Sequence, residues 1–296
     1  MRVAVAGEVL WDITEKSQFL GGAPLNFAFH LHELGHEPLL ISAVGDDELG
    51  STALRAIEAR GLYSKFIPRA AGHPTGTVTV KLGSHGVPEY VIHRPAAYDF
   101  PFLTAELEHE FFGYAPQWIY FGTLQQTAPQ PRQFTQGLLE KLPAARRFYD
   151  LNLRNESYSP ALVEQLLRQS DVVKLNEEEA LLVADFLHLP KHSMERFCSQ
   201  LRRMFSLQAV CVTRGAHGCS LLLKDIFADV PGYRVTVADT IGAGDAFSAA
   251  LLHGIDAGWA PGRVAEFANR LGALVACLPG GAPQWSLKQL DALARP

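Results

Sequence analysis

The chain has 296 residues, is 48% hydrophobic and carries a formal net charge of −5, with acidic and basic residues mixed along its length. It has enough apolar residues to bury a large core, lacks the Lys/Arg-rich block of a nucleic-acid footprint, and contains no apolar run near the roughly 20 residues needed to span a bilayer. Small anionic substrates stay open, because helix N-termini bind phosphate without a basic surface.

Residues 1–8 enter a short apolar strand directly, with no signal-peptide core, so the expected location is the cytoplasm. Cys198, Cys211, Cys219 and Cys277 form no C-x-x-C pair and read as reduced core or helix thiols. Asn155-Glu156-Ser157 fits a glycosylation sequon, which carries no meaning without secretion. Short β-branched runs at 3–6, 39–44, 118–121, 147–151, 172–175 and 209–213 predict strands. Several are apolar throughout, as strands covered on both faces are. Helical patterns lie at 25–34, 48–59, 133–142, 161–169, 177–187 and 194–205. The alternation predicts an α/β fold with a mostly parallel sheet. Beyond it, 220–223 and 233–238 read as late strands, followed by helices at 243–258, 261–278 and 286–293. One segment breaks the alternation: 75–82, a turn at Gly83–Gly86, and 89–93 make a β-hairpin. By itself it reads as a surface hairpin. With 8–19 it could form a small projecting sheet.

Asp239-Thr240-Ile241-Gly242-Ala243-Gly244-Asp245 is the strongest local signal. It places Gly242, Ala243 and Gly244 at a helix N-terminus, where backbone N–H groups lack partners and the dipole is positive. Such a site suits a phosphate or the charge of phosphoryl transfer. A carboxylate beside it repels a resting phosphate, so Asp245 has a chemical use as acceptor of a hydroxyl proton, or else is a helix cap. A second cluster, Gly21-Gly22-Ala23-Pro24-Leu25-Asn26, projects Asn26 from the first turn of a helix. Polar residues close three strands: Asp150 to Arg154, Lys174 to Glu179, and Thr213 to Gly218. Ligands of open α/β sheets bind beyond such strand ends.

Two other motifs weaken on inspection. His32-Glu33-Leu34-Gly35-His36 matches the H-E-x-x-H of zinc hydrolases, but Gly35 and Pro38 end the helix before His36 can share its face. Residues 45–52 resemble a Walker A loop without its lysine and with two acids where phosphates would lie.

Taken together, the clusters resemble the ribokinase-like, or PfkB, family of sugar kinases over nearly the whole chain. Both family signatures are present, G-G-x-x-x-N as Gly21–Asn26 and D-T-x-G-A-G-D as Asp239–Asp245, in order and about 220 residues apart. The resemblance implies one ribokinase-like α/β domain over 1–296, its central mostly parallel sheet flanked by helices, with a small β-sheet lid from about 8–19 and 73–95. It implies Asp245 as base and Gly242, Ala243, Gly244 and the Asp245 amide as anion hole. Asp12, Gly22, Asn26 and Arg154 match sugar-binding positions. Asn176 and Glu179 match an N-x-x-E element that organises Mg²⁺ and ATP phosphates through water. Thr213, Gly215, Gly218 and Asn269 fall where the family binds adenine and ribose. Asp239, Ile241, Ala276, Pro279 and Gly281 fall near its monovalent-cation loop, which implies K⁺. The stretches Gly7–Asp12 and Gly21–Asn26 look like the fructokinase branch, and Arg94–Asp99 partly matches its R-x-G-A-D element, interrupted by Tyr98. The implied reaction is ATP-dependent phosphorylation of D-fructose, with another hexose, a ketose acid or a nucleoside as alternatives. A homodimer through the lid follows from resemblance alone.

Overall fold

The computed structural model describes residues 1–13, 17–82, 88–154, 158–190 and 193–293. The predicted turn at Gly83–Gly86 and the sequon at Asn155 lie outside the described residues. In chain order the first strands are β1 (Arg2–Ala6), β2 (Leu10–Ile13), β3 (Gln18–Gly21), β4 (Glu37–Ile41), β5 (Val44–Gly45), β6 (Arg69–Ala70), β7 (Gly76–Leu82) and β8 (Pro88–His93). Then come β9 (Trp118–Gly122), β10 (Arg146–Asp150), β11 (Val172–Asn176), β12 (Ala209–Thr213), β13 (Cys219–Leu223) and β14 (Ile226–Val230). The helices begin with α1 (Ala23–Glu33), α2 (Glu48–Ala59), α3 (Ala105–Gly113), α4 (Thr123–Gln126), α5 (Pro129–Lys141) and α6 (Pro160–Arg168). They end with α7 (Glu177–Phe186), α8 (Met194–Phe205), α9 (Ala243–Asp256), α10 (Pro261–Ala276) and α11 (Leu287–Ala292).

The main sheet has eight strands in the order β14-β13-β12-β11-β10-β9-β1-β4. It is parallel from β4 to β12 and antiparallel at β13 and β14. Both faces are covered, which is why its strands are apolar throughout. Val3 and Val5 pack on one side with Leu25, Phe27, Ala246 and Ala268 of α1, α9 and α10. Ala4 and Ala6 pack on the other with Leu138, Leu166, Val183 and Leu201 of α5 to α8. Strand β1 lies between β4 and β9, so the strand order reverses there. Ligands favour the crevice beyond the strand ends at such a point.

The small sheet runs β3-β2-β7-β8. β2 pairs antiparallel with β3 and parallel with β7, and β7 pairs antiparallel with β8. The strands predicted on either side of the Gly83–Gly86 turn, β7 and β8, thus share one sheet with β2 and β3, and β3 runs on to Gly21. The predicted strand at 233–238 is a correction: those residues are irregular, and the strand pairing with β13 is β14, earlier in the chain. The alternating Tyr-Arg-Val-Thr-Val-Ala pattern reflects one apolar face, but that face lines a cavity, and among the described residues no strand pairs with the segment. Helices α3 and α4 fall in stretches where the sequence suggested no element. Among the described residues, no helix is long and apolar enough to cross a membrane.

Candidate active site

Helix α9 begins in an N-terminal turn with Gly242 as cap. Gly242 has φ 76°, and a side chain there would start 1.6 Å from the Gly281 carbonyl oxygen, so only glycine fits. No side chain caps the turn; Ala243 N makes a long bond to the Thr240 carbonyl at 3.4 Å. Asp245 stands in that first turn, half-buried, and Asn26 Nδ2 donates to its Oδ2 at 2.8 Å. The cap reading of Asp245 therefore fails. Burial raises its pKa, with Asp150 adding to the rise, while the Asn26 bond, Lys174 and Arg154 oppose it. Asn26 is buried with its Oδ1 unpartnered. A buried acceptor of this kind is costly unless it gains a donor.

The seat of α9 is a polar network between strand ends. Asp150 and Lys174 sit opposite one another on β10 and β11, and Lys174 Nζ donates to Asp150 at 3.1 Å. Ser248 Oγ donates to Asp150 Oδ2 at 2.7 Å, and Tyr120 OH donates to it at 3.3 Å. Burial alone would lower the Lys174 pKa, but Asp150, Glu179 and Asp245 leave it raised.

On the other side of Asp245 lie Glu8, Asp12 and Arg154. Glu8 follows β1 at the strand-order reversal and is buried. Desolvation lifts its carboxyl to about 7, against Arg154 and with Asp245 adding to the rise. Asp12 on β2 folds over Gly21, where a Cβ would stand 2.6 Å from its Oδ2. Burial lifts its pKa to about 6. Gly22 caps α1 at φ 111°, its Cα face closed against Glu8. Arg154 is exposed and acts electrostatically on Glu8, Asp12 and Asp245 together. Arg94 pairs with Asp99 and donates to Leu124 O, so this ion pair is structural. Tyr98 is wholly buried against Gly76 and Leu10.

A cavity of about 600 Å³ opens on the far side of Gly244. Asn176, Thr213, Gly215, Gly218, Asn269, Ala243, Gly244 and Ala276 line it, all of them singled out by sequence. Tyr233, Val235, Val237 and Phe247 supply the apolar wall that sequence missed. Asn269 Nδ2 is committed to the carbonyls of Val230 and Pro231, so it braces that wall. Glu179 accepts from Leu153 N at 2.7 Å and Asn176 N at 2.8 Å, and Asn176 Oδ1 accepts from Glu179 N at 2.8 Å. This capping box holds the carboxylate with lone pairs to spare.

Asp239, Ile241, Ala276 and Gly281 converge around the start of α9, beside the exposed Pro279. Asp239 accepts from Ile241 N at 3.0 Å and Gly280 N at 3.2 Å. The Ala276 carbonyl already accepts from Ala238 and Asp239, which leaves it little capacity for a cation, whereas Asp239 keeps free lone pairs.

The two other motifs resolve structurally. Helix α1 ends at Glu33, and Gly35 (φ 82°) turns the chain, so His36 contacts His253 at 2.7 Å. Glu33 pairs with Arg60 at 2.9 Å, and the H-E-x-x-H residues do not converge on a metal. In the Walker-like loop, Asp47 caps α2 by accepting from Gly50 N at 2.7 Å.

The pfkB family carbohydrate kinase profile matches residues 3–286. The chain is 30% identical over 296 residues to Fructokinase-1 of Oryza sativa subsp. japonica, across 94% of this chain and 89% of that one. Fructokinase of Xylella fastidiosa with bound ATP superposes with a TM-score of 0.86 at 23% identity, covering 99% of this chain and 97% of that one. The 2-dehydro-3-deoxygluconokinase of Thermotoga maritima gives the same TM-score of 0.86 at 18% identity, covering 99% and 98%. These structures establish the ribokinase-like α/β fold, a large mostly parallel sheet flanked by helices plus a small separate sheet, and their equal scores leave the sugar unselected.

Proposed function

The chain belongs to the pfkB family of carbohydrate kinases, phosphotransferases with a hydroxyl group of a sugar as acceptor, and from that premise we propose that it transfers the terminal phosphoryl group of ATP to the C6 hydroxyl of D-fructose, giving D-fructose 6-phosphate. The observation that carries the reading is the Asn26-held carboxylate of Asp245, set in the uncapped first turn of α9 between the 600 Å³ cavity and the Glu8–Asp12–Arg154 cluster.

ATP fits the cavity, which falls within the usual size for small-molecule sites. Thr213, Gly215, Gly218 and Asn269 would flank its base and ribose. Gly242, Ala243, Gly244 and the Asp245 amide would face the phosphoryl group in transfer. Glu179 and Asn176 would hold water around Mg²⁺, which supplies charge neutralisation on the phosphates. Asp12, Gly22, Asn26 and Arg154 would hold the sugar, and Asp245 would take the proton of the attacking hydroxyl. The transition state is loose, so positioning and charge weigh more than basicity.

The acceptor end favours a neutral sugar. Glu8, Asp12 and Asp245 cluster there around the Arg154 guanidinium, with Glu8 lifted to about 7 and Asp12 to about 6, so a sugar acid would bring its charge to a group of acidic side chains and not to a basic pocket. The rice relative's name and the G-E-V-L-W-D and G-G-A-P-L-N stretches support fructose within that class. Residues 8–19 and 73–95 would act as the lid of this single domain. Its exposed Phe19 and Val91 support a homodimer through the small sheet, which sedimentation of the purified chain tests.

The deciding experiment is ADP release from Mg·ATP across hexoses, pentoses, sugar acids and nucleosides, in K⁺ and again in Na⁺. Fructose should give the highest kcat/KM, with a rate gain in K⁺ through Asp239. A larger kcat/KM for a sugar acid would overturn the charge argument, and equal rates in both salts would remove the cation.

A further inference from the structure

We infer that Arg60 is a positioning residue for phosphoryl transfer: it clamps the loop that backs the anion hole onto the face of α1 that also carries Asn26. Arg60 stands just past the end of α2, far from the reacting groups in sequence. Its Nη1 donates to the Ala282 carbonyl at 2.6 Å. Its Nη2 donates to Glu33 at 2.9 Å, and its guanidinium lies 3.8 Å from the centroid of the Phe29 ring. Both hydrogen bonds involve an ionised donor, the stronger kind.

The loop that Arg60 grips runs from Gly280 to Trp285 and is fastened at two further points. Gly280 N donates to Asp239 Oδ2 at 3.2 Å, and Trp285 Nε1 donates to His30 Nδ1 at 3.0 Å. Between the fastenings, Gly281 is wedged between the two halves of the site. Its carbonyl oxygen sits where a side chain on Gly242 would begin, and its own Cα face looks at Asn26 Nδ2, 2.8 Å from where a Cβ would stand. The loop therefore touches both the cap of α9 and the side chain that holds Asp245.

The other partners share one helix face. Asn26, Phe29, His30 and Glu33 are spaced i, i+3, i+4 and i+7 on α1, which places them along one stripe. Asn26 reaches Asp245, Phe29 and Glu33 hold Arg60, and His30 accepts from Trp285. Helix α1 thereby sets the carboxylate and the loop behind the amides in one frame. Release of the loop would loosen that frame without removing any group that touches substrate.

The test uses Arg60→Met, which keeps a long apolar stem over Phe29, with Arg60→Lys and Trp285→Phe beside it. In the full chain, with whichever sugar the acceptor panel identifies, Arg60→Met should lower kcat roughly 10–100-fold, the scale of a small misplacement of reacting groups. Sugar and ATP KM should stay within about threefold, since no binding group is lost. Arg60→Lys, which can still donate to Ala282, should recover part of kcat. Trp285→Phe should lower kcat in the same manner. The double variant should lose less than the product of the two single losses, because both release the same loop. A kcat for Arg60→Met within twofold of the parent, a loss expressed in KM alone, or fully multiplicative losses would overturn the inference. Should Arg60→Met fail to fold, an unchanged kcat for Trp285→Phe does so by itself. The inference rests on kinase activity and not on fructose. A parent enzyme with no acceptor refutes the proposed function, whereas an active parent with an unaffected clamp variant refutes only the clamp.

Discussion

Asp245 faces Asn26 with a carboxyl whose pKa burial has raised. Asp245→Asn keeps the shape and removes the proposed base, so turnover should fall roughly 10²–10⁴-fold while sugar and ATP still bind. A base works only when ionised. Activity should therefore fall as pH drops through a value above the usual aspartate range, and a kcat/KM profile reads that limb directly. Glu8 makes a stability prediction of opposite sense. Its pKa rises from 4.5 unfolded to about 7 folded, so its favourable contribution is complete below pH 4.5 and disappears as pH climbs through 7. Glu8→Gln should melt higher than the parent at pH 8, by on the order of 3 kcal/mol at most, and the gap should close by pH 4.5. Thermal melts at both pH values check it. Asp245 was legible in sequence because a glycine pair and a helix start surround it. Glu8 was not, because nothing local says that the chain past β1 will be buried at the strand-order reversal.

Helix α9 is held from beneath by Ser248, Asp150 and Lys174, which belong to three elements that meet only in the folded chain. Lys174→Met removes one partner of a buried pair and leaves Asp150 charged and unpaired. Ser248 and Tyr120 still donate to Asp150, but the loss of its cation should cost up to about 3–5 kcal/mol in denaturant unfolding, far beyond a surface substitution. Helices with polar caps were read well: α2 behind Asp47 and α8 behind Ser193 begin and end as their patterns require. Residues 233–238 were misread because alternation reports only that one face is apolar. Here that face looks into the nucleotide-sized cavity. Strand Lys174 and strand Asp150 were each visible as polar strand ends, but their pairing depends on the β10–β11 register, which no local pattern specifies.

At the scale of the whole molecule, the two proposed reactant sites share few residues and meet at α9, so each should be fillable separately. Saturation with the accepted sugar, and separately with a non-hydrolysable ATP analogue, should each raise Tm; at one hundred times Kd the gain is about 2.7 kcal/mol. A sugar that stabilises only when the nucleotide is present would instead point to an acceptor site assembled by nucleotide binding. The fold was legible because strand and helix periods alternate over most of the chain. The sugar was not, because the proposed acceptor groups Asp12, Asn26 and Arg154 come from separate parts of the chain and meet around Asp245 without any common sequence pattern.

The stripe on α1 has a practical consequence for anyone who wishes to retarget this enzyme. Because one rigid rod serves both chemistry and scaffolding, changes there would confound new selectivity with lost turnover. Libraries aimed at other acceptors belong instead on Asp12 and Arg154, which lie off that stripe beside Asp245, and should spare the Arg94–Asp99 pair and the buried Tyr98.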